Sequence, residues 1–231
     1  MEGDCSDLPF AEDYSTWSDS FLKSFLEEPG CSSYGWGPLQ VYPAQTEILR
    51  QDTPSDAVYF MKSGAVKLTW VDPHGREVIA GLRHRNWLTG APAVLLEKPY
   101  SFTITTLTRC ELRCISAKNF LALTRTNTEF AMHVMKLLSR EIFDRGKKLV
   151  MLGCVSAADR LKYLLSTFVA VHARTSRKGV KLHLPLKHKE LAQMLAVTPE
   201  HLSRLMKELE QKRCIRREKD GSIVLNPSCF E

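Results

Sequence analysis

The segment LKHKELAQMLAVTPEHLSRLMKELEQK, residues 186–212, constrains this chain more tightly than any other stretch. It holds two short runs of helical apolar period joined by three residues. In the first, 188–195, Leu191, Met194 and Leu195 fall on one face, and Ala192 is small where a second helix would cross. The connection is Ala196-Val197-Thr198. Thr198 is a favoured N-cap, and Pro199 suits the first helical position, where its missing N–H has no partner to lose. The second run turns Leu202, Leu205, Met206 and Leu209 inward and leaves Glu200, His201, Ser203, Arg204 and Lys207 exposed. Two amphipathic helices on so short a link must cross and bury their apolar faces on each other, which predicts a helix-turn-helix over 187–208.

The flanks extend this unit to 154–231. Ser156, with Asp159 three residues on, opens a helix in capping-box style, and Leu161, Leu164, Leu165 and Phe168 continue its apolar face. Residues 172–181 read as a polar, basic loop. In IRREKDGSIVL (215–225), Asp220-Gly221 is a hairpin signal between two short strands. Helix, helix-turn-helix and hairpin in that order make a winged helix-turn-helix. Charge follows the same division: residues 156–231 carry 15 Lys and Arg against 8 Asp and Glu, a net of +7, whereas residues 1–155 carry 17 against 18, a net of −1. Positive charge gathered in the last third points to a polyanionic partner.

Upstream the texture changes. Residues 1–37 comprise an acidic arm and a short amphipathic helix (15–28: Trp17, Phe21, Leu22, Phe25) ended by Pro29-Gly30. From 38 to 126, short strand-like runs alternate with turns: VYFMK (58–62), Ser63-Gly64, AVKLTWV (65–71), Asp72-Pro73-His74-Gly75, REVIAGL (76–82), SFTITTL (101–107) and ELRCI (111–115). That spacing predicts an antiparallel roll or barrel. Residues 127–153 return to helical period, a helix of about 25 residues spanning roughly 38 Å. Its stripe of Phe130, Val134, Leu137, Leu138, Ile142, Leu149 and Leu152 is expected to form a seam between two copies of the chain.

The run T-P-E-H-L-S-R-L-M resembles the recognition helix of FNR-type regulators, with Glu, Ser and Arg at E-x-x-S-R spacing. From about residue 38 to the end, the chain resembles the CRP/FNR superfamily of transcription regulators. The resemblance implies an α+β chain: an antiparallel β-roll like cyclic-nucleotide-binding jelly rolls, a dimerisation helix, and a winged helix-turn-helix bound to double-stranded DNA as a homodimer. It assigns base reading on a TTGA-like inverted repeat to Glu200, Ser203 and Arg204. The chemistry agrees: the Arg204 fork fits guanine O6 and N7, Glu200 accepts from cytosine N4, and Ser203 hydrogen-bonds or packs near a thymine. Lys187, Lys189, Thr198, His201, Lys207, Arg217 and Lys219 are expected at phosphates. Two departures stand out. Ala196 occupies a position often held by glycine, which costs little provided its φ stays negative, and Pro199 replaces an arginine of the cAMP-receptor proteins.

In the roll, Gly90-Ala91-Pro92-Ala93-Val94-Leu95 and Pro99-Tyr100-Ser101-Phe102-Thr103 fall where such domains keep their phosphate-binding cassette. The resemblance makes Gly90, Ala91, Tyr100 and Ser101 the effector-pocket candidates. Ala91 stands in place of the ribose-binding Glu and Tyr100 in place of the phosphate-binding Arg, so the expected effector is unidentified and is not cAMP. An iron–sulfur cluster needs about four thiolates. Here Cys5 and Cys31 are far apart, and Cys110 and Cys114 share one strand face. A redox thiol pair among these four, or haem held by His84 and His133, are the alternative sensors. No metal site or cofactor is expected.

Enzyme motifs are missing: there is no P-loop, G-x-S-x-G or H-E-x-x-H, and the stretch Leu82-Arg83-His84-Arg85-Asn86 lacks a second cupin histidine. A nucleotide-binding module without a transcription role is the other alternative. No apolar run approaches the roughly 20 residues of a membrane span. The MEGDCSDLPF start has no secretory character, so the expected compartment is the cytoplasm. RNA polymerase is a further partner that such a function admits, although no contact signature is readable.

Overall fold

The computed structural model describes residues 25–26, 29–172, 174–176 and 179–230. The expected N-terminal arm and most of the 15–28 helix lie outside them; Phe25 and Leu26 are helical. The described residues divide into two compact units, one ending at Phe143 and one beginning at Asp144.

The first unit is a roll of eight strands: β1 (Gln40–Tyr42), β2 (Glu47–Leu49), β3 (Ala57–Ser63), β4 (Ala65–Val71), β5 (Glu77–His84), β6 (Trp87–Thr89), β7 (Thr103–Thr106) and β8 (Cys110–Ser116). They form two antiparallel sheets, ordered β1-β8-β3-β6 and β2-β7-β4-β5. A short helix, α1 (Ala91–Leu95), interrupts the strands, and α2 (Ala117–Thr126) follows them. The sheets close on an interior layer of Leu49, Met61, Val66, Leu68, Tyr100, Ile104, Cys110 and Leu112. Strand β3 is apolar on both faces because it is buried on both. Tyr59 and Met61 point inward, while Val58 and Phe60 turn outward to a second layer built with Trp36, Ala91, Phe120 and Phe130. Gly64 joins β3 to β4 at φ +95°, where a Cβ would lie 2.5 Å from the Cys110 sulfur, so only glycine fits this turn.

Helix α3 (Thr128–Cys154) is capped by Asn127, whose Oδ1 accepts the Phe130 N–H at 2.9 Å. It corrects the expected seam. Phe130, Val134 and Leu137 are buried, and together with the half-buried Leu138 they pack on the outer layer of their own roll. They are therefore not available to a second chain. The exposed apolar side chains are Met132, Met135, Ile142, Phe143, Leu149, Val150 and Leu152. Of the expected stripe, Ile142, Leu149 and Leu152 remain open, the first two each 71% exposed.

The second unit continues with α4 (Ala157–His172), β9 (Arg174–Ser176), β10 (Gly179–Leu182), α5 (His188–Met194), α6 (Pro199–Gln211), β11 (Ile215–Arg217) and β12 (Ile223–Leu225). Within the stretch read as a loop at 172–181, residues 174–176 and 179–181 are strand instead. β10 pairs with β12, more than 40 residues downstream, through the register Val180↔Leu225 and Leu182↔Ile223, and β9 pairs with β10. The sheet runs β11-β12-β10-β9, so the wing is its outer hairpin. The expected Asp220-Gly221 turn carries Gly221 at φ +79°.

Candidate nucleic-acid interface

The two helices of the turn form as their local chemistry directs. The Thr198 hydroxyl accepts the His201 N–H at 3.2 Å, and Pro199 occupies the first turn of α6. Leu202, Leu205, Met206 and Leu209 are all buried, as are Leu191, Ala192 and Leu195 on α5, whereas Met194 is half-buried. Helix α5 ends in a Schellman motif: Val197 N–H bonds Ala192 O at 3.1 Å and Ala196 N–H bonds Gln193 O at 3.0 Å. This geometry requires a left-handed residue, and Ala196 sits at φ +53°. The proviso that its φ stays negative does not hold, and the turn carries local strain. Arg160, which sequence reasoning did not single out, holds the same turn from α4. Its Nε and Nη2 donate to Leu195 O at 3.2 and 3.0 Å, and its Nη1 donates to Val155 O at 2.7 Å.

On the outer face of α6, Glu200 and Arg204 are exposed and Ser203 is half-exposed. The Glu200 carboxyl is held below the usual range by its own backbone N–H and the Thr198 hydroxyl, with His188 adding a smaller attraction, so at neutral pH it is an acceptor only. The Ser203 hydroxyl lies 3.0 Å from Pro199 O and 3.4 Å from His188 Nε2. His188, on the first turn of α5, is thus in contact with a candidate base reader; its separation of 15 residues from Ser203 gave no periodic signal in the sequence.

Of the expected phosphate contacts, Lys187, Lys189, Lys207 and Lys219 are exposed, while Thr198 and His201 are joined in the α6 cap. Arg217 is engaged within the unit: its Nε and Nη2 meet the two Glu210 oxygens at 2.8 and 2.6 Å, tying the wing to the end of α6. Lys181 does the same for the wing tip, 2.7 Å from Asp220.

In the roll, the four expected pocket residues fall in different surroundings. Ala91 is fully buried in the outer layer, Ser101 is exposed, and Tyr100 belongs to the interior layer. The Tyr100 hydroxyl accepts the Ala57 N–H at 2.9 Å and donates to Ala57 O at 2.7 Å; burial pushes its pKa up to about 12. Gly90, at φ +88°, lets the backbone pass Ala57 O, which a Cβ would meet at 2.8 Å. The inward cation of the roll is Arg83, opposite Val66 on β4. Its guanidinium lies 4.6 Å from the Trp87 ring centroid and pairs at 2.5 Å with Glu141 of α3, both side chains being mostly buried. The spacing of 58 residues hid this pair from sequence reasoning.

Cys110 and Cys114 both face the roll interior, and burial raises both thiols. Burial and the neighbouring Cys229 thiol push Cys214 up to about 11. Cys5 and the Cys31 side chain lie outside the described residues. Among the described residues, no helix is long and apolar enough to cross a membrane, and no three His, Cys, Asp or Glu side chains are grouped to hold a metal ion.

Comparison with known proteins places this geometry. Residues 39–127 match the family of cyclic nucleotide-binding domains, and residues 159–229 match the Crp-like helix-turn-helix domains. The cAMP-activated global transcriptional regulator CRP of Haemophilus influenzae is 24% identical over 179 residues, covering 77% of this chain and 79% of that protein. The structure of FixK2 from Bradyrhizobium japonicum superposes with a TM-score of 0.70 at 18% identity, covering 84% of this chain and 94% of that one. The c-di-GMP-responsive global regulator CLP of Xanthomonas campestris gives 0.69 at 22% identity, covering 86% and 99%.

Proposed function

Since the chain belongs to the CRP/FNR family of transcription regulators and carries their helix-turn-helix DNA-binding domain, we propose that it works as a cytoplasmic homodimer on a TTGA-like inverted repeat, governed by a signal other than cAMP. The observation that carries the reading is α6: a capped helix with one fully buried face whose outer face presents Glu200, Ser203 and Arg204. An acceptor-only carboxylate, a hydroxyl and a guanidinium fork within one turn suit major-groove edges. Lys187, Lys189, Lys207 and Lys219 supply the phosphate contacts, whereas Arg217 acts first by holding the wing.

The second copy is supported by α3. Met132, Met135, Ser139, Ile142, Gly146, Leu149 and Gly153 recur at alternating steps of three and four, the period of a two-helix seam. A Cβ at Gly146 or Gly153 would meet nothing within 4 Å, so the small positions leave room for a partner backbone. Two recognition helices then address half-sites about one DNA turn apart. The roll supports a non-cAMP signal, because the cassette holds no carboxylate at Ala91 and no guanidinium at Tyr100, whose hydroxyl is spent on Ala57. The Arg83–Glu141 pair connects β5 to α3 and is the route by which a change in the roll would reach the helix. The relatives regulate transcription, and a non-enzymatic role with RNA polymerase as a downstream partner accords with that.

The test is fluorescence anisotropy with a TTGAT-type inverted repeat and a scrambled duplex at two salt concentrations. Arg204→Ala is expected to cost about 1–3 kcal/mol on the repeat and to relax one guanine. Lys207→Ala should weaken both duplexes alike and lower the salt slope by about one. Unchanged discrimination in Arg204→Ala would refute the register of the recognition helix.

A further inference from the structure

We propose that His188 fixes the hydrogen-bonding polarity of Ser203 and so determines which base edge that hydroxyl accepts; the inference rests on the recognition-helix reading above. A serine hydroxyl has one hydrogen and two lone pairs. Pro199 O, 3.0 Å from Ser203 Oγ, is a carbonyl and can only accept, so the hydroxyl hydrogen belongs to that contact. The other neighbour, His188 Nε2 at 3.4 Å, must then donate, which places a ring proton on Nε2. The His188 contact holds Oγ in the rotamer whose hydrogen goes to Pro199 O, so Ser203 has a single lone pair left for DNA and does not turn to donate; without His188 the hydroxyl is free to take another rotamer and donate.

A hydroxyl locked in this way reads amino groups. Adenine N6 and cytosine N4 donate in the major groove, whereas thymine O4 and guanine O6 present lone pairs to it. Glu200, one turn earlier, is likewise an acceptor only, its carboxyl held below the usual range by its own backbone N–H and the Thr198 hydroxyl. Of the three base-reading candidates, Arg204 is the donor. The face therefore asks for two amino edges and one guanine, a pattern compatible with a TTGA half-site, whose complementary strand offers adenine and cytosine amino groups. In this role His188 is a positioning residue acting through Ser203. It differs from a phosphate contact, which would strengthen binding to every sequence alike.

The experiment measures anisotropy on four duplexes that differ only at the base pair whose preference is lost in Ser203→Ala. The unaltered chain is expected to favour the amino base by about tenfold over the keto base. His188→Leu, which has no donor, should lose that preference while keeping discrimination at the guanine read by Arg204. His188→Gln, which restores a side-chain N–H at similar reach, should recover it. A His188→Leu chain that keeps the preference, or that binds all four duplexes more weakly by one common factor, overturns the inference and leaves the recognition-helix reading standing. A chain that binds every duplex alike, before and after Arg204→Ala, overturns both.

Discussion

Ala196→Gly should make the C-terminal unit more stable, and the size of the gain follows from the turn. An L-residue in the left-handed region bears a cost of roughly 1–2 kcal/mol from its Cβ against the following carbonyl, and Ala196 sits there at φ +53°. Its methyl is exposed, so removing it forfeits no core contact. Glycine in exchange brings greater freedom to the unfolded chain, a loss of roughly 0.5–1 kcal/mol. The difference is a net stabilisation of about 0.5–1 kcal/mol, or roughly 3–6 °C in a unit of this size. Calorimetry on the full chain, with hydrogen exchange at the Val197 N–H to assign the transition, measures it, because that N–H is bonded to Ala192 O inside the turn. Ala196→Val is the opposing control: a β-branched side chain at positive φ should lower the midpoint. A lowered midpoint for Ala196→Gly, or a valine variant as stable as the parent, refutes the strain argument.

Three further outcomes follow from the same geometry. Ile142→Glu, on the open face of α3, should shift sedimentation toward the monomer and leave the roll's melting unchanged; Phe130→Ala, on the buried face, should destabilise the roll by about 3–5 kcal/mol. Tyr100→Phe keeps the ring but leaves Ala57 N–H and C=O without their partner, so urea unfolding should show a loss of about 1–3 kcal/mol, and calorimetry with cAMP should show no heat of binding for parent or variant. Arg217 holds the Glu210 carboxyl below its ordinary value, so the stability from this half-exposed pair is complete above pH of about 4.3 and is lost as pH falls from there through the depressed folded-state value. Glu210→Gln should flatten that part of the acid-unfolding curve by under about 1 kcal/mol.

The helix-turn-helix was legible in the amino-acid order because every signal for it is local. Thr198 and Pro199 start α6, the apolar residues recur at helical spacing, and the three-residue link leaves the two helices one way to pack. Strand β3 was legible for a related reason: a strand buried on both faces needs a continuous apolar run, and such a run stands out, whereas β4 shows itself by Val66 and Leu68 alternating with Lys67. Other elements depend on partners distant in the chain. Within 172–181, β10 forms because β12 arrives more than 40 residues later to pair with it, and β9 pairs in turn with β10. Helix α3 carries two apolar faces, and periodicity alone cannot say which turns inward; the outer layer of the roll, with Val58, Phe60 and Phe120, claims Phe130, Val134 and Leu137 and leaves Ile142 and Leu149 open. The same holds in the sites. The order of residues places a tyrosine where an arginine would bind phosphate, but folding commits its hydroxyl to Ala57. The reach of Arg83 to Glu141 and of His188 to Ser203 arises only once the strands and helices are packed, since a hydrogen bond depends on distance in space and leaves no period along the chain.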